Sequence, residues 1–582
     1  MYTRIAWPLL SFFFMAQWAV SQETETEDIG TQTVTVTKAY TPTVADAFKI
    51  KSVPNLNDSI VLQKKKIEYS IFSVPVASTF TPAKGTASKV ERVPPPVLYN
   101  TYASAGGGNP ANVLAEFHTS QDIDRESNYT LSLNHNSSQG NIEGVVLDNV
   151  FANTQLNAAY KKRERDMDWG ANVGLQHQFY NWYGLPEGFD ATGLLFDEGQ
   201  NYFMAEAAGH IHVEDALFDK ADALYRRFWD GVESGENRAR IHGAVQLPLN
   251  EEQLGVGVHA DYVGGSFVNA NLNSSTNDQG IAYGNLQVGI HPSLQLLRDD
   301  LSLNLGVNLV YGMDLENSEG NFYIYPAVTA SYRLMEETVI AYGGVEGELR
   351  QNSYYDFVEH NPFVSPTLQI APTDSQYNAY VGFKGQLLPN VGYNVKGSYS
   401  AENFSPLFKL NPFNDFRNDD RTYYLGNSFE VFYDDIKTLG MFAEINVDIN
   451  RDFTLGLNAE VLDYSTETGN PAWNRPNLTA SMMMDYQIGE KWFTGINLFF
   501  VGEREDVATT AVPNAPITDF PATQVTLESF FDANAHLGYR VNKQLSVFVK
   551  GANLANNNYQ RWANFPVQGL QVLAGATYRF DL

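Results

Sequence analysis

The chain contains no cysteine in 582 residues. Without a thiol it has no disulfide framework, and it offers no cysteine for the lipid of a bacterial lipoprotein. Positive charge is scarce as well: 38 Lys and Arg stand against 67 Asp and Glu, a formal net charge of -29. Such a chain repels phosphate instead of neutralising it, which excludes nucleic acid as a partner. The apolar run at the N-terminus, within MYTRIAWPLLSFFFMAQWAVSQ, spans about 16 residues against the roughly 20 that a membrane-crossing helix needs, and Pro8 and Gln17 interrupt it. It has the form of a signal peptide instead, with Arg4 ahead of the apolar stretch and small residues at Ala19 and Ser21. Residues 1–21 are expected to be removed after Ser21, and the rest exported.

What the chain has in quantity is aromatic residues and glycine. Tyr and Phe number 32 and 36, Gly 45, while charged residues make up only 18%. That profile suits many strands joined by tight turns, not helices rich in Ala, Glu, Lys and Leu. From Val97 onward the pattern is strand, turn, strand. In LSLNLGVNLVY the apolar Leu301, Leu303, Leu305, Val307, Leu309 and Tyr311 alternate with Ser302, Asn304, Gly306 and Asn308. NFYIYPAVTASYRL (321–334), LGMFAEINVDI (439–449) and ANAHLGYRV (533–541) repeat the scheme. A period of two with one apolar face is β-structure. A soluble sandwich alternates too, but its strands average about five or six residues, whereas these run to about ten or more and continue without a domain break. Aromatics gather near strand ends, as in QFYNWYG around Trp182 and KWFTGINLFF around Trp492. Long alternating strands with aromatic girdles predict an all-β fold: a transmembrane antiparallel β-barrel of the bacterial outer membrane, residues 97–582.

Counting candidate strands gives about 23, an odd number that cannot stand if both termini face the periplasm. The expectation is therefore about 22 strands, within a range of about 16 to 22. The surplus is traced to the stretch between Ser400 and Arg421, where FSPLFKLNPFNDF reads either as a loop or as one strand counted twice. The C-terminal GLQVLAGATYRFDL keeps its apolar face, from Val572 to Leu582, up to the final residue, which predicts a strand held to its end. Ahead of the barrel, residues 22–96 are punctuated by Pro42, Pro54, Pro75, Pro82 and the run Pro94 to Pro96, and read as a periplasmic segment or small insert.

The C-terminal third carries a resemblance. Pro476 before a strand, Tyr486 before a turn at Ile488 to Glu490, Gly502 and Arg504 leading into a long loop, Tyr539 to Lys543, Asn553-Leu554 with Tyr559, and Phe580 in the closing strand together resemble the end of the TonB-dependent outer-membrane receptor family. The match covers about the last 110 residues, and the aromatic Phe580 lies two positions in from the end instead of last. TQTVTVTKAYTPT near the N-terminus looks like that family's TonB box, with Thr33, Val34, Thr35, Val36 and Thr37 as its core. Such a segment adds as a strand to a periplasmic partner's sheet edge through main-chain hydrogen bonds. Family plugs are much longer than residues 22–96 allow. The resemblance implies a receptor or transporter with a reduced plug, an unidentified ligand, and a TonB-type partner or other envelope proteins.

The residues that could carry chemistry are few. His210 and His212 share a strand face at metal-pair spacing, with Glu214 or Asp215 as the nearest further ligands, and read more simply as rim or lumen residues. Asp415, Asp419 and Asp420, and the pair Asp434-Asp435, are expected in loops or turns. AGGGNP (105–110) is a hairpin turn and not a phosphate loop, since no Lys-Ser/Thr follows. No enzyme motif and no cofactor site is present. Acidic loops on an exported barrel serve solubility, or more specifically bridge divalent cations to lipopolysaccharide or capture a cationic ligand. A scaffold or assembly subunit of an envelope complex is the alternative function. A passive porin is disfavoured, because a barrel this wide is a breach if its lumen is empty.

Overall fold

A computed structural model describes residues 98–582, apart from 141, 187, 190–196, 215, 250–251, 269–279, 414–421, 451 and 510–521. The signal peptide, residues 22–96 and Thr33 to Thr37 lie outside the described residues. Within them, 22 strands form one closed antiparallel sheet. The first, Thr101–Asn109, pairs with the second and also with the last, Gln571–Phe580, in a register running from Thr101 opposite Phe580 to Asn109 opposite Val572. Each strand therefore has a partner on both sides, which satisfies the backbone inside hydrocarbon and leaves no edge. No described helix is long and apolar enough to cross a membrane.

The alternation predicts the faces correctly. Leu305, Tyr311, Ile324, Met441 and Ile445 stand exposed on the outside, as do Leu175, Ile241, Val381, Val549 and Val572 around the wall. A soluble protein seldom leaves so continuous an apolar surface in water. Here it forms the belt that faces lipid. The inward positions are polar or small, and at the seam the strands approach closely: a Cβ on Gly108 would stand 2.2 Å from the Val572 carbonyl oxygen. The expected tight turn after Ile488 is present, with Gly489 at φ +62°.

One pair of alternatives is decided, and three expectations need correction. Of the two readings of FSPLFKL the second holds: one strand, Val391–Leu410, runs through it, with a register shift between Glu402 and Ser405 and Phe404 at φ +51°. Such a bulge interrupts the alternation as the end of a strand would. Asp434 and Asp435 are not turn residues but lie inside strand Phe429–Asn450. They serve neighbouring turns, Asp434 accepting from Thr468 and Asp435 accepting from the Phe404 amide at 2.9 Å. The closing strand ends at Phe580, and Leu582 is exposed beyond it. In the same way AGGGN belongs to the first strand, and the turn proper is Pro110 and Ala111.

Candidate functional site

The barrel's two ends differ. The end that carries Thr101 and Phe580 has short turns, including those after Ile488 and Arg540. At the opposite end most connections are long, though those after Asn109, Asp230 and Asp314 are short, and one of the long ones folds inward. After strand Val339–Arg350 the period of two stops, and residues 351–372 run through a short helix, α1 (Tyr354–His360), before strand Thr373–Leu388 begins. Ser353 caps the helix, its Oγ accepting from the Asp356 amide at 3.1 Å, and Asp356 places negative charge in the first turn. Pro362, Pro366 and Pro372 then keep the chain extended.

This strap is held to the barrel wall by polar contacts and by packing in a buried apolar cluster. Glu236, 1% exposed, accepts from the Tyr354 amide at 2.6 Å and from the Tyr283 hydroxyl at 2.8 Å. Asp230 accepts from the Tyr354 hydroxyl at 2.9 Å while also holding its own turn through the amides of Val232 and Ser234. Arg238 makes a two-pronged pair with Asp261, at 2.8 and 3.1 Å, and reaches Asp356 of the strap at 3.0 Å. Arg226 donates to Ser353 Oγ at 3.2 Å and lies 3.8 Å from the centre of the Tyr355 ring. Gln176 and Gln178 donate to Glu359, and the Tyr202 hydroxyl donates to the Pro362 carbonyl at 2.9 Å. The planar fork of Arg238 suits two carboxylates at once, and such charge-assisted bonds outweigh neutral ones.

Above and around the strap, other long connections complete a cap. Trp182, Tyr202, Phe228, Phe267, Tyr354, Phe357, Phe408, Tyr423, Phe429, Trp562 and Phe565 belong to one buried apolar cluster, drawn from wall strands, the strap and other connections. Phe363 of the strap stacks on Phe565 at 3.9 Å, and the strap pairs with strand Phe429–Asn450 through Val364 and Phe429. A hairpin, Arg504–Thr509 with Ala522–Leu527, packs against this layer. In it Asp506 is fully buried and accepts from the Leu410 amide, Asn474 Nδ2 and the Val507 amide at 3.0, 2.7 and 2.8 Å. Burial pushes its carboxyl up to about 6, the three hydrogen bonds opposing the shift. His360, at the end of α1, is held below the ordinary imidazole value by burial and by Arg561 and Arg475.

Of the residues singled out by sequence, His210 and His212 sit on strand Gly199–Val213, on the same face as the inward Tyr202. His212 lies 3.7 Å from Asp168 and 3.4 Å from Asp219. Among the described residues no group of His, Asp and Glu could hold a metal ion. Asp215, Asp415, Asp419 and Asp420 lie outside the described residues. The anchors Arg226, Asp230, Glu236 and Arg238 did not stand out in the sequence. The available signals were the Ser353-x-x-Asp356 cap and the loss of alternation between Gln351 and Pro372.

No protein-family model matches the sequence, and no curated protein matches it. Solved structures do match in shape. The FrpB iron transporter from Neisseria meningitidis (F5-1 variant) aligns with a TM-score of 0.62 at 11% identity, over 83% of each chain. The siderophore receptor PirA from Acinetobacter baumannii aligns at 0.60 and 14%, over 82% of this chain and 80% of its own. The pyoverdine outer-membrane receptor FpvA from Pseudomonas aeruginosa PAO1 aligns at 0.60 and 13%, over 83% of this chain and 78% of its own. At such identities the likeness is one of fold, and it agrees with the resemblance carried by the C-terminal motifs. The chain has the barrel fold of these outer-membrane receptors.

Proposed function

We propose that this chain is an outer-membrane receptor or transporter, similar to the TonB-dependent family, with residues 22–96 as a reduced plug and the strap 351–372 as its outer gate. The observation that carries the reading is the strap itself. It crosses the mouth on charged and polar anchors as well as apolar packing, while the wall behind it is a complete, self-sufficient sheet. A mouth shut in this way does not suit a passive porin, and a transporter needs some such gate. The solved structures of similar fold are described as receptors and an iron transporter, which supports the same class; the ligand of this chain is left open.

In this reading Thr33, Val34, Thr35, Val36 and Thr37 form the strand that engages a TonB-type partner in the periplasm. Val34→Pro removes an amide donor and fixes φ, so it should abolish cross-linking of this segment to that partner, and any uptake that depends on it, at unchanged barrel levels. Unchanged cross-linking and function would refute the coupled-transport reading. The packed apolar cap favours a second reading, a permanently closed scaffold for other envelope proteins, in which Val34→Pro is silent.

A further inference from the structure

A cavity of about 250 Å³ lies at the long-loop end, between the barrel wall and the cap, close to the seam where the sheet closes. Five rings line it: Phe151, Tyr180, Tyr183, Phe363 and Tyr559. They brace one another. Phe151 and Tyr180 stack at 6.4 Å, and Tyr180 and Tyr183 both meet Phe363 edge-on, at 6.3 and 5.6 Å. Tyr183 is tied by its hydroxyl to the Pro566 carbonyl at 2.9 Å, so its ring is fixed in place.

One acid faces the same space. Asp532 accepts from the Tyr559 hydroxyl at 2.9 Å through Oδ2, but its other oxygen, Oδ1, is buried without a partner. The amides of the lining are occupied with neighbouring groups. Arg504 lies over the Phe530 ring at 5.3 Å, and Tyr559 stacks on that ring at 3.8 Å with the planes nearly parallel. A water molecule could satisfy the open lone pair, but among the described residues no basic side chain pairs with the acid directly. Aromatic walls with one unpaired carboxylate are the chemistry that holds an organic ammonium ion: the ring faces attract the polarised methyl or methylene groups, and the acid neutralises the charge. The net charge of -29 adds a general attraction for cations.

We infer that this cavity is a binding site for a small organic cation carrying a substituted ammonium group. The inference stands apart from the transport reading, because binding is measurable whether or not anything is carried. Phe363 belongs to the strap, so the site has this form only while the strap is folded in.

The test is calorimetric titration of the full-length protein in detergent with choline, and with its uncharged isostere in which carbon replaces the ammonium nitrogen. Choline should bind at least about tenfold more tightly than the isostere. Asp532→Asn, which keeps the shape and an acceptor for Tyr559, should weaken choline by about tenfold and leave the isostere unchanged. Equal binding of the two compounds, or no heat from choline, would overturn the inference, and this comparison needs no variant. Unaltered choline affinity in a folded Asp532→Asn protein would overturn it as well.

Discussion

Glu236, on the barrel wall, accepts the backbone N–H of Tyr354, 118 residues further along the chain, at 2.6 Å. The first amides of a helix have no partner within it. Here one of them is satisfied by a carboxylate that is itself almost wholly buried, so the wall and the strap each complete the other.

Glu236→Gln should therefore loosen the strap without disturbing the barrel. A charged hydrogen bond of this kind contributes about 1.5–3 kcal/mol. Hydrogen exchange should show the amides of 353–361 losing protection while those of strand Leu301–Asp314 keep theirs. Equal loss in both would mean that Glu236 supports the fold as a whole.

The contrast between wall and strap also governs what the sequence reveals. Leu305 and Ile445 could be assigned to the lipid face because a bilayer imposes one rule on every strand, and that rule is written locally as a period of two. Arg226, Asp230, Glu236 and Arg238 obey the same rule as any polar inward residue. Their role depends on partners over a hundred positions away, such as Asp356 and Tyr354. The bulge at Phe404 likewise has no local signature beyond an interrupted alternation. The acid Asp532 and the rings around its cavity come from five separate stretches of chain, so no spacing connects them.

The face assignment makes a prediction of its own. Leu305→Arg or Ile445→Arg should cost roughly 2–4 kcal/mol if the side chain sits near the bilayer midplane, and should reduce folded protein in outer-membrane fractions. Asn304→Arg, pointing inward, should be tolerated. Heat-modifiable migration on gels reads all three, and equal tolerance would contradict the assigned faces.

Asp506 makes the cap sensitive to pH. Its carboxyl is raised from 3.8 to about 6 where it is buried, so the cap's stability from this group is fully present below pH 3.8 and is lost as pH rises through 6. The difference is on the order of 3 kcal/mol. His360, whose value is lowered, acts in the opposite sense and destabilises the cap as it gains a proton in acid. The Asp506 contribution is therefore read as the difference between wild type and Asp506→Asn in protection factors of amides 504–509. That difference should change steeply between pH 4 and pH 7, and a flat difference would show that Asp506 is not buried as described.

On the proposed reading, the strap shuts the mouth, and its charged anchors decide how firmly. Conductance in a planar bilayer tests it most directly, with full-length protein, protein lacking residues 22–96, and the latter carrying Glu236→Gln and Asp230→Asn. The full-length protein should be silent, the membrane nearly tight after removal of 22–96 alone, and large openings frequent once the anchors are also neutralised. A wide, steady channel from the full-length protein, or unbroken silence from the anchor variant, would contradict it.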